Sequence, residues 1–303
     1  MRPGTISAQR DMKYRLVELL RCPAHPRAML RVTGARVSEV FPYSGQLQVP
    51  VCRTGCGYLA NWFIEIPATL PISHRLDCRR CMGTEIETAE LTCPECQWSL
   101  KVVDGVIRAS GGCEKEPEEE APLPQGIGGP IDRYLDPQPG EVALILASLP
   151  ESTLAKWSSR GVERLQVELN PEVMVAGRAR CCANGQGMVH YIGGPLDISI
   201  FRPGEFDALV VQVPSERVSA FDQALEQIPA LLRPSGKAVL VYPHEAAGSH
   251  GADDRRERLI RDLPKAFDGL TTRVARATGI DLVMVEHPEP ENGNGLRFIK
   301  RSG

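Results

Sequence analysis

The sequence predicts an α/β protein in which a small β-rich module precedes a parallel sheet covered by helices. Three observations support this fold class. Strand-like and helix-like segments alternate from residue 139 onward, eight of the ten cysteines lie before residue 114, and an acidic stretch rich in proline and glycine separates the two regions. Because domain boundaries fall in such polar linkers, we expect a module over residues 1–112, a linker over 113–138 and an α/β domain over 139–303.

The α/β assignment rests on the regular order of apolar and amphipathic segments in the C-terminal half. The predicted strands cover 142–147, 165–169, 188–192, 206–213 and 237–242, and the predicted helices cover 151–159, 171–180, 215–232 and part of 253–267. Strands that alternate with helices are joined by right-handed crossovers and pair in parallel. The segments 280–286 and 296–300 flank a turn-rich stretch, so we expect a terminal hairpin with an antiparallel last strand.

The linker is predicted from composition. The stretch that begins at Cys113 combines repeated glutamate with proline and glycine. Such a chain cannot bury enough apolar surface to offset its conformational entropy, so it is expected to be a solvated spacer. An acidic tail that binds a basic partner is the alternative interpretation.

Charge and hydropathy narrow the class of partner and the compartment. The formal net charge is −3, and residues 1–112 carry 14 Lys+Arg against 10 Asp+Glu, which allows contact with RNA without requiring it. No run approaches the roughly 18 apolar residues of a membrane helix, and the N-terminus lacks the apolar core of a signal peptide. We therefore expect a cytoplasmic protein with no membrane partner, whose cysteines bind metal instead of forming disulfides.

Two cysteine pairs with the spacing of zinc turns follow one another near the end of the module. Cys78 and Cys81 form the first pair and Cys93 and Cys96 the second, with eleven residues between the pairs. Tetrahedral zinc takes four ligands, and each two-residue turn supplies two thiolates. The spacing predicts a structural four-cysteine zinc site, with four buried or redox-active cysteines as the alternative.

A second zinc site is predicted from Cys22 and His25 together with Cys52 and Cys56. Zinc accepts three sulfurs and one imidazole, although here one turn carries histidine and the other is a residue longer. An exposed turn histidine beside buried thiols is the alternative, and His74 is a spare ligand. Neither predicted site keeps an open position for water, so we expect two structural zinc ions that supply folding free energy to a module too short to build a large core.

Several segments resemble known protein families. Leu19-Leu-Arg-Cys-Pro23 and Cys93-Pro-Glu-Cys96 are similar to zinc-ribbon modules fused to, or partnering, bacterial methyltransferases, including the zinc activator subunit of tRNA methyltransferases. Residues 139–301 resemble the class I S-adenosylmethionine-dependent methyltransferases, with the closest matches at 167–174, 206–211 and 231–241. The resemblance implies a Rossmann-like sheet of seven strands with a reversed last strand, and S-adenosylmethionine as cofactor.

The same resemblance implies cofactor-binding residues. Glu168 matches the acid that ends the second strand and holds the ribose hydroxyls, with an exposed strand-end carboxylate as the alternative. Asp197 lies near the place where the family has an aspartate for the adenine amine. The glycine-rich turn of the family is absent, because the residues after the first strand read Ala147-Ser-Leu-Pro-Glu-Ser152 and no glycine occurs between Gly140 and Gly161. No catalytic residue is predicted.

Two functions therefore remain open. In the first, the protein transfers a methyl group from S-adenosylmethionine to an acceptor that the sequence does not identify. In the second, the α/β domain is a catalytically inactive scaffold whose zinc ribbons dock on protein, ribosome or RNA. The retained Glu168 favours the first function, and the missing glycine turn favours the second. The sequence predicts neither an oligomeric state nor the identity of a partner.

Overall fold

A computed structural model of the chain describes residues 18–37, 86–96, 98–103, 106–108, 123–170, 173–174, 176–177, 189–213, 217–218, 220–243, 261, 267, 269–277 and 279–288. The strands are β1 (Arg31–Val37), β2 (Ile86–Thr92), β3 (Ser99–Val103), β4 (Val106–Arg108), β5 (Val142–Leu146), β6 (Glu163–Glu168), β7 (Val189–Gly193), β8 (Phe206–Gln212), β9 (Leu232–Pro243), β10 (Thr271–Ala277) and β11 (Ile280–Glu286). The α-helices are α1 (Gly128–Leu135), α2 (Glu151–Arg160), α3 (Phe221–Ala224) and α4 (Ile228–Leu231).

The strands of the described residues form a single mixed sheet in the order β1-β2-β3-β4-β7-β6-β5-β8-β9-β11-β10. The strands from β7 to β9 in this order are all parallel. The chain enters at β5, adds β6 and β7 on one side and then crosses to β8 and β9, which is the order of a doubly wound sheet. β11 runs antiparallel to both of its neighbours, β9 and β10. The α/β class is thus confirmed.

The sheet is larger than the seven strands that the resemblance implies. Strands β5 to β11 account for seven, and β1 to β4 extend the same sheet beyond β7 as an antiparallel meander. The junction is parallel, with Ile107 of β4 opposite Ile192 of β7. The two regions that composition separates therefore share one sheet.

The central strands are buried on both faces, although only β5 is apolar throughout, because β6 also carries Glu163, Arg164, Gln166 and Glu168. All five residues of β5 are buried, as are all six of β6, which is the pattern of parallel strands covered on both sides. One apolar cluster packs Trp157 of α2 against this sheet. The cluster on the opposite face continues from Leu144 of β5 through Phe201 to Leu20 and Leu91 near the cysteine turns.

The helix predicted over 215–232 is not continuous. α3, a 3-10 turn at Leu225–Gln227 and α4 cover the stretch up to Leu231, and Leu232 already begins β9. Proline has no amide hydrogen and is tolerated only in the first turn of a helix, so Pro229 lies in the first turn of a new helix, α4, instead of extending the helix before it. The apolar period indicates a helix correctly but does not detect this break.

The terminal hairpin pairs different segments from those predicted. β10 and β11 form it, with Thr271 opposite Glu286 and a two-residue turn that contains Gly279 at φ +76°. That left-handed conformation suits glycine, which has no Cβ to clash. The segment 296–300, predicted as the partner of β11, lies outside the described residues.

The end of the predicted linker packs against the sheet. Residues 125–135 form a 3-10 turn and α1, and the buried residues Ile127, Ile131 and Leu135 recur every four positions along one helical face. The flanking glycines and prolines mask this short period in the sequence. None of the described helices combines the length and apolar character needed to cross a membrane.

A buried carboxylate joins α1 to α2. Asp132 is 5% exposed and accepts hydrogen bonds from Trp157 Nε1 at 2.7 Å, from Arg160 Nη1 at 2.9 Å and from Lys156 Nζ. Burial raises the pKa of Asp132, but the donors of Lys156, Trp157 and Arg160 lower it, and the net pKa lies below the ordinary value of 3.8.

Candidate metal centre and strand-end crevice

Four side chains of the kind that bind zinc meet at the start of β1 and the end of β2. They are Cys22, His25, Cys93 and Cys96. The first two lie in the turn before β1, and the last two lie in the turn that joins β2 to β3. The antiparallel register places Arg31 opposite Thr92, so strand pairing brings the two turns side by side. A hydrogen bond from the Cys93 amide to the Trp98 carbonyl, at 2.9 Å, closes the second turn.

The distances among these donors suit one tetrahedral zinc ion. Cys22 Sγ lies 3.6 Å from Cys96 Sγ and 3.7 Å from His25 Nδ1, and Cys93 Sγ lies 3.8 Å from the same nitrogen. Zinc–sulfur bonds of about 2.3 Å place neighbouring ligands of a tetrahedron about 3.8 Å apart. Cys22 and Cys93 are buried. Three sulfurs and one imidazole, all within 4.8 Å of one another, therefore fit a closed structural zinc site.

The ring of His25 lies between two thiols on one side and a carboxylate on the other. Its Nδ1 faces two sulfurs, and its Nε2 lies 3.9 Å from a carboxylate oxygen of Glu95, a residue of the second turn. A histidine that binds metal through one nitrogen commonly gives its other N–H to a carboxylate, which fixes the tautomer. At 3.9 Å the Glu95 carboxylate lies beyond hydrogen-bond distance of Nε2, and a small movement of its side chain would be needed for this role.

The thiols of the second turn differ in acidity. Burial raises the pKa of Cys93, while hydrogen bonds from the backbone of Glu95 and Cys96 and from the neighbouring thiols lower it, to about 7. The backbone of Trp98 lowers the pKa of Cys96, but burial and the nearby Cys22 and Cys93 raise it, and the net change is upward. Metal binding requires thiolates, and the easily ionised Cys93 favours it.

The grouping of ligands differs from the one that spacing predicts. The sequence pairs Cys93 and Cys96 with an upstream cysteine turn, whereas the structure brings them to Cys22 and His25. The predicted partners Cys52, Cys56, Cys78 and Cys81, and the spare His74, lie outside the described residues. The reason is topological: β1 and β2 are neighbours in the sheet although 48 residues separate them in the chain. A sequence signal existed, because the two turns that meet share the pattern Cys-Pro-X-Cys/His.

The metal cluster is fastened to the α/β region by backbone and arginine contacts. The amide of Arg21 donates to the Ile200 carbonyl at 2.6 Å, and the amide of Arg202 donates to the Leu19 carbonyl at 2.9 Å. The Arg202 side chain donates to the Leu20 carbonyl at 2.9 Å and reaches the Ala28 carbonyl at 3.4 Å, on the other side of the cysteine turn. The first turn is therefore held at both ends by one guanidinium.

The second candidate site is the crevice at the carboxyl ends of β5, β6 and β8. In an open α/β sheet, ligands bind at the point where the strand order reverses, and that point lies between β5 and β8. Glu168 ends β6 as predicted, but it is 8% exposed, and its Oε1 accepts from the amides of Leu169 at 2.9 Å and Asn170 at 3.2 Å. The carboxylate is thus buried and engaged locally.

An arginine side chain occupies this crevice. Arg217, from the segment between β8 and α3, is 2% exposed. Its Nη1 lies 3.3 Å from Glu168 Oε1 and donates to the Val167 carbonyl, and its Nη2 donates to Ser148 Oγ at 2.6 Å. Nothing in the spacing or composition of the sequence marks Arg217, because burial of its side chain depends on distant strands.

The turn after β5 is closed as well. Ala147 and Leu149 are buried, and Leu149 belongs to the apolar cluster that includes Trp157. The Ser148 amide lies 3.4 Å from Gln212 Oε1, which ties this turn to the end of β8. Side chains therefore fill a turn that the methyltransferase family keeps open with glycine.

The predicted adenine-binding aspartate has a local role in the structure. Asp197 is exposed, and its Oδ1 accepts from the Ser199 amide at 2.8 Å, which caps the 3-10 turn at Ile198–Ile200. Together with the engaged Glu168 and the filled turn, this arrangement does not fit S-adenosylmethionine in the pose that the family resemblance implies. Glu168, the acid that the resemblance implies for the ribose, already has a cationic partner.

No protein-family model and no functionally curated protein matches the sequence. Among solved structures, the chain is similar to phosphoethanolamine N-methyltransferase 2 of Haemonchus contortus in complex with S-adenosyl-L-methionine, at 12% identity and a TM-score of 0.43, over 56% of this chain and 54% of that one. It is also similar to a SAM-dependent methyltransferase from Aquifex aeolicus, at 14% identity and a TM-score of 0.39, over 52% of this chain and 88% of that one.

A third similarity is to a Haloferax volcanii complex that contains the Trm112 methyltransferase activator, at 14% identity and a TM-score of 0.38, over 52% of this chain and 88% of the matched one. The chain spans about half the length of the Haemonchus protein. These identities and TM-scores are too low to assign an activity to this chain.

Proposed function

We propose that this chain is a zinc-stabilised scaffold built on a methyltransferase-like α/β sheet, and that it does not transfer methyl groups. The observation that supports this most directly is the contact between Arg217 and Glu168 at 3.3 Å in the buried crevice. A ribose would need the same carboxylate, and its binding would require a buried guanidinium to lose its charged partner.

Zinc has a structural role in this proposal. The cluster of Cys22, His25, Cys93 and Cys96 holds one ion, which links the turn before β1 to the turn after β2. With these four ligands assigned, the spacing of the remaining cysteines leaves Cys52, Cys56, Cys78 and Cys81 for a second zinc ion. We therefore expect two zinc ions per chain. Metal analysis of protein purified without chelators tests this number, and a content of one ion or none would contradict it.

Titration calorimetry tests whether S-adenosylmethionine binds, because methyl transfer cannot occur without cofactor binding. We expect no heat of binding at about 1 mM cofactor, a concentration at which even weak sites are occupied. Circular dichroism of the same sample must show a folded protein. Saturable binding by the wild-type chain would contradict the scaffold proposal and favour the second candidate, a methyltransferase, which the position of Glu168 at the end of β6 supports.

The zinc turns are the proposed docking region. Met29, beside the first turn, is 53% exposed, and Val103 at the end of β3 is 38% exposed, so the module presents apolar side chains to solvent. A gel-shift titration with bulk RNA at low salt separates the classes of partner. Retardation that weakens as salt rises would support RNA or ribosome as the partner, and the absence of a shift would contradict RNA docking and leave protein docking as the proposal.

A further inference from the structure

The geometry points to Arg217 as an internal ligand: the strand-end crevice is a guanidinium-binding site that the chain fills with its own side chain. This inference rests on the proposed function, because it names what the crevice holds in place of a cofactor. The site includes acceptors from the end of β6 and from the turn after β5, namely the Glu168 carboxylate, the Val167 carbonyl and the Ser148 hydroxyl.

The chemistry of these acceptors matches a guanidinium better than any other cation. A planar guanidinium presents several N–H groups in a rigid fork, so it can bond acceptors in different directions at once. Here Nη1 donates to the Val167 carbonyl and pairs with Glu168 at the end of β6. Nη2 donates to Ser148 Oγ in the turn after β5. An ammonium group, a compact point charge, could not span both turns.

The backbone of this segment is fixed so that the side chain enters the crevice. The Leu196 amide donates to the Arg217 carbonyl at 3.0 Å, and Leu196 and Val218 form a parallel bridge. Leu196 follows β7, so the backbone of Arg217 is held beside the end of β7. Its side chain reaches the end of β6 and the turn after β5. A buried charge is tolerated only when it is paired and hydrogen-bonded, and Arg217 satisfies both conditions.

In this arrangement the Arg217 side chain takes the place that a bound cofactor would have. In a doubly wound sheet the acid after the second strand binds a ribose, and a ligand bridges the turns at the switch point. Arg217 makes that bridge permanently and at high effective concentration, since it belongs to the same chain. Removing its side chain should leave a cavity whose acceptors still select a guanidinium.

Chemical rescue tests the inference. Arg217→Ala should lower the Tm by about 10 °C, because a buried carboxylate loses its partner. Methylguanidinium should then raise the Tm of this variant saturably, by about 3–5 °C at a concentration about ten times its Kd. The wild-type protein should show no such rise. Arg233→Ala is the matched control, since Arg233 is 36% exposed and its partner Asp207 also accepts from the Val142 amide, so its removal leaves no closed cavity.

Three outcomes would overturn the inference. One is a folded Arg217→Ala protein with no saturable response, and another is a rise in the Tm of wild type or Arg233→Ala as large as that of Arg217→Ala. The third is an Arg217→Met protein as stable as wild type, because the acceptors would then need no cation. If Arg217→Ala does not fold alone, refolding in methylguanidinium should recover it, and failure to do so counts against the inference. Binding of S-adenosylmethionine to wild type would instead contradict the proposed function, so the two failures are distinguishable.

Discussion

At the scale of single residues, both sites depend on side chains whose partners are far away in the chain. Cys93 can serve as a zinc ligand only because β2 places it beside the turn that carries Cys22 and His25. Glu168 forms an ion pair only because the segment after β8 brings Arg217 back to the end of β6. In each case a common residue type acquires its chemistry from burial and from the charge or sulfur that it meets.

Replacement of Cys93 by serine should remove one zinc ion per chain and leave a second in place. Hydroxyl oxygen is a poor substitute for thiolate, so the remaining three ligands would bind the ion weakly. Metal analysis after dialysis measures the loss. Cys181→Ser, which changes a thiol outside the predicted ligand set, should keep the full zinc content. Equal zinc in wild type and Cys93→Ser would show that the cluster holds no metal.

Replacement of Asp132 by asparagine should destabilise the protein by about 3 kcal/mol, because two cations and an indole N–H lose the negative charge and one of the two acceptor oxygens that they share. Asp136→Asn is the matched control, since Asp136 is exposed and lies 3.6 Å from Arg160. A surface pair of this kind contributes less than about 1 kcal/mol. Denaturant unfolding of the three proteins gives both differences.

The same carboxylate predicts how stability depends on pH. The pKa of folded Asp132 lies below the ordinary 3.8, so its contribution is present above that pH and is lost as the pH falls through the folded pKa. The difference in Tm between wild type and Asp132→Asn should therefore stay constant down to about pH 4 and narrow as the pH falls further. A difference that stays constant to the lowest pH would show that the charge of Asp132 does not contribute.

At the scale of elements, the turn before β1 is held by the segment that follows β7. Backbone hydrogen bonds join Arg21 to Ile200 and Arg202 to Leu19, and the Arg202 side chain reaches carbonyls on both sides of the turn. The metal cluster thus belongs as much to the α/β sheet as to the N-terminal module. Apolar contact supports the attachment, because Leu20 and Phe201 lie in one buried cluster.

Replacement of Arg202 by alanine should loosen this turn without removing a ligand. The Leu20 carbonyl would lose a charge-assisted donor, so we expect a stability loss of about 1–2 kcal/mol and a several-fold faster release of zinc to a competing chelator. Arg273→Ala removes an exposed arginine of β10 that pairs with Glu286 at 3.3 Å, and it should leave the release rate unchanged. If both variants release zinc at the wild-type rate, Arg202 does not hold the turn.

At the scale of the whole molecule, the sheet runs without interruption from the N-terminal strands to the terminal hairpin. β4 covers the edge of β7, and one apolar cluster extends from the cysteine turns into the α/β core. A fragment of residues 113–303 would expose the edge of β7 and the apolar surface around Phe201. Exposed edges and patches of this kind promote association of chains.

We therefore expect the 113–303 fragment to aggregate or to unfold at a lower temperature than the full chain, and co-expression of residues 1–112 to restore its solubility. Light scattering and thermal unfolding measure the two effects. A monomeric fragment as stable as the full chain would show instead that the α/β region folds independently, as its predicted linker suggests.

The sequence by itself determined the fold class and the kind of ligand chemistry. Apolar period and helix pattern are local properties, so strands such as Val142–Leu146 and Phe206–Gln212 and the helix Glu151–Arg160 could be predicted closely. Cysteine pairs in two-residue turns also predict metal binding, because their spacing is a local property of the sequence. The same local reasoning missed β10 and α1, whose short or polar segments gain their structure from neighbours in the sheet.

Only the tertiary structure decided which residues meet. Ligand grouping depends on the pairing of β1 with β2, and the filled crevice depends on the return of Arg217 to β6. Both are contacts between residues roughly 50 or more positions apart, and neither spacing nor composition encodes such distances. The sequence therefore predicts zinc ligands and a strand-end acid, while the long-range packing of the sheet sets the partner of each.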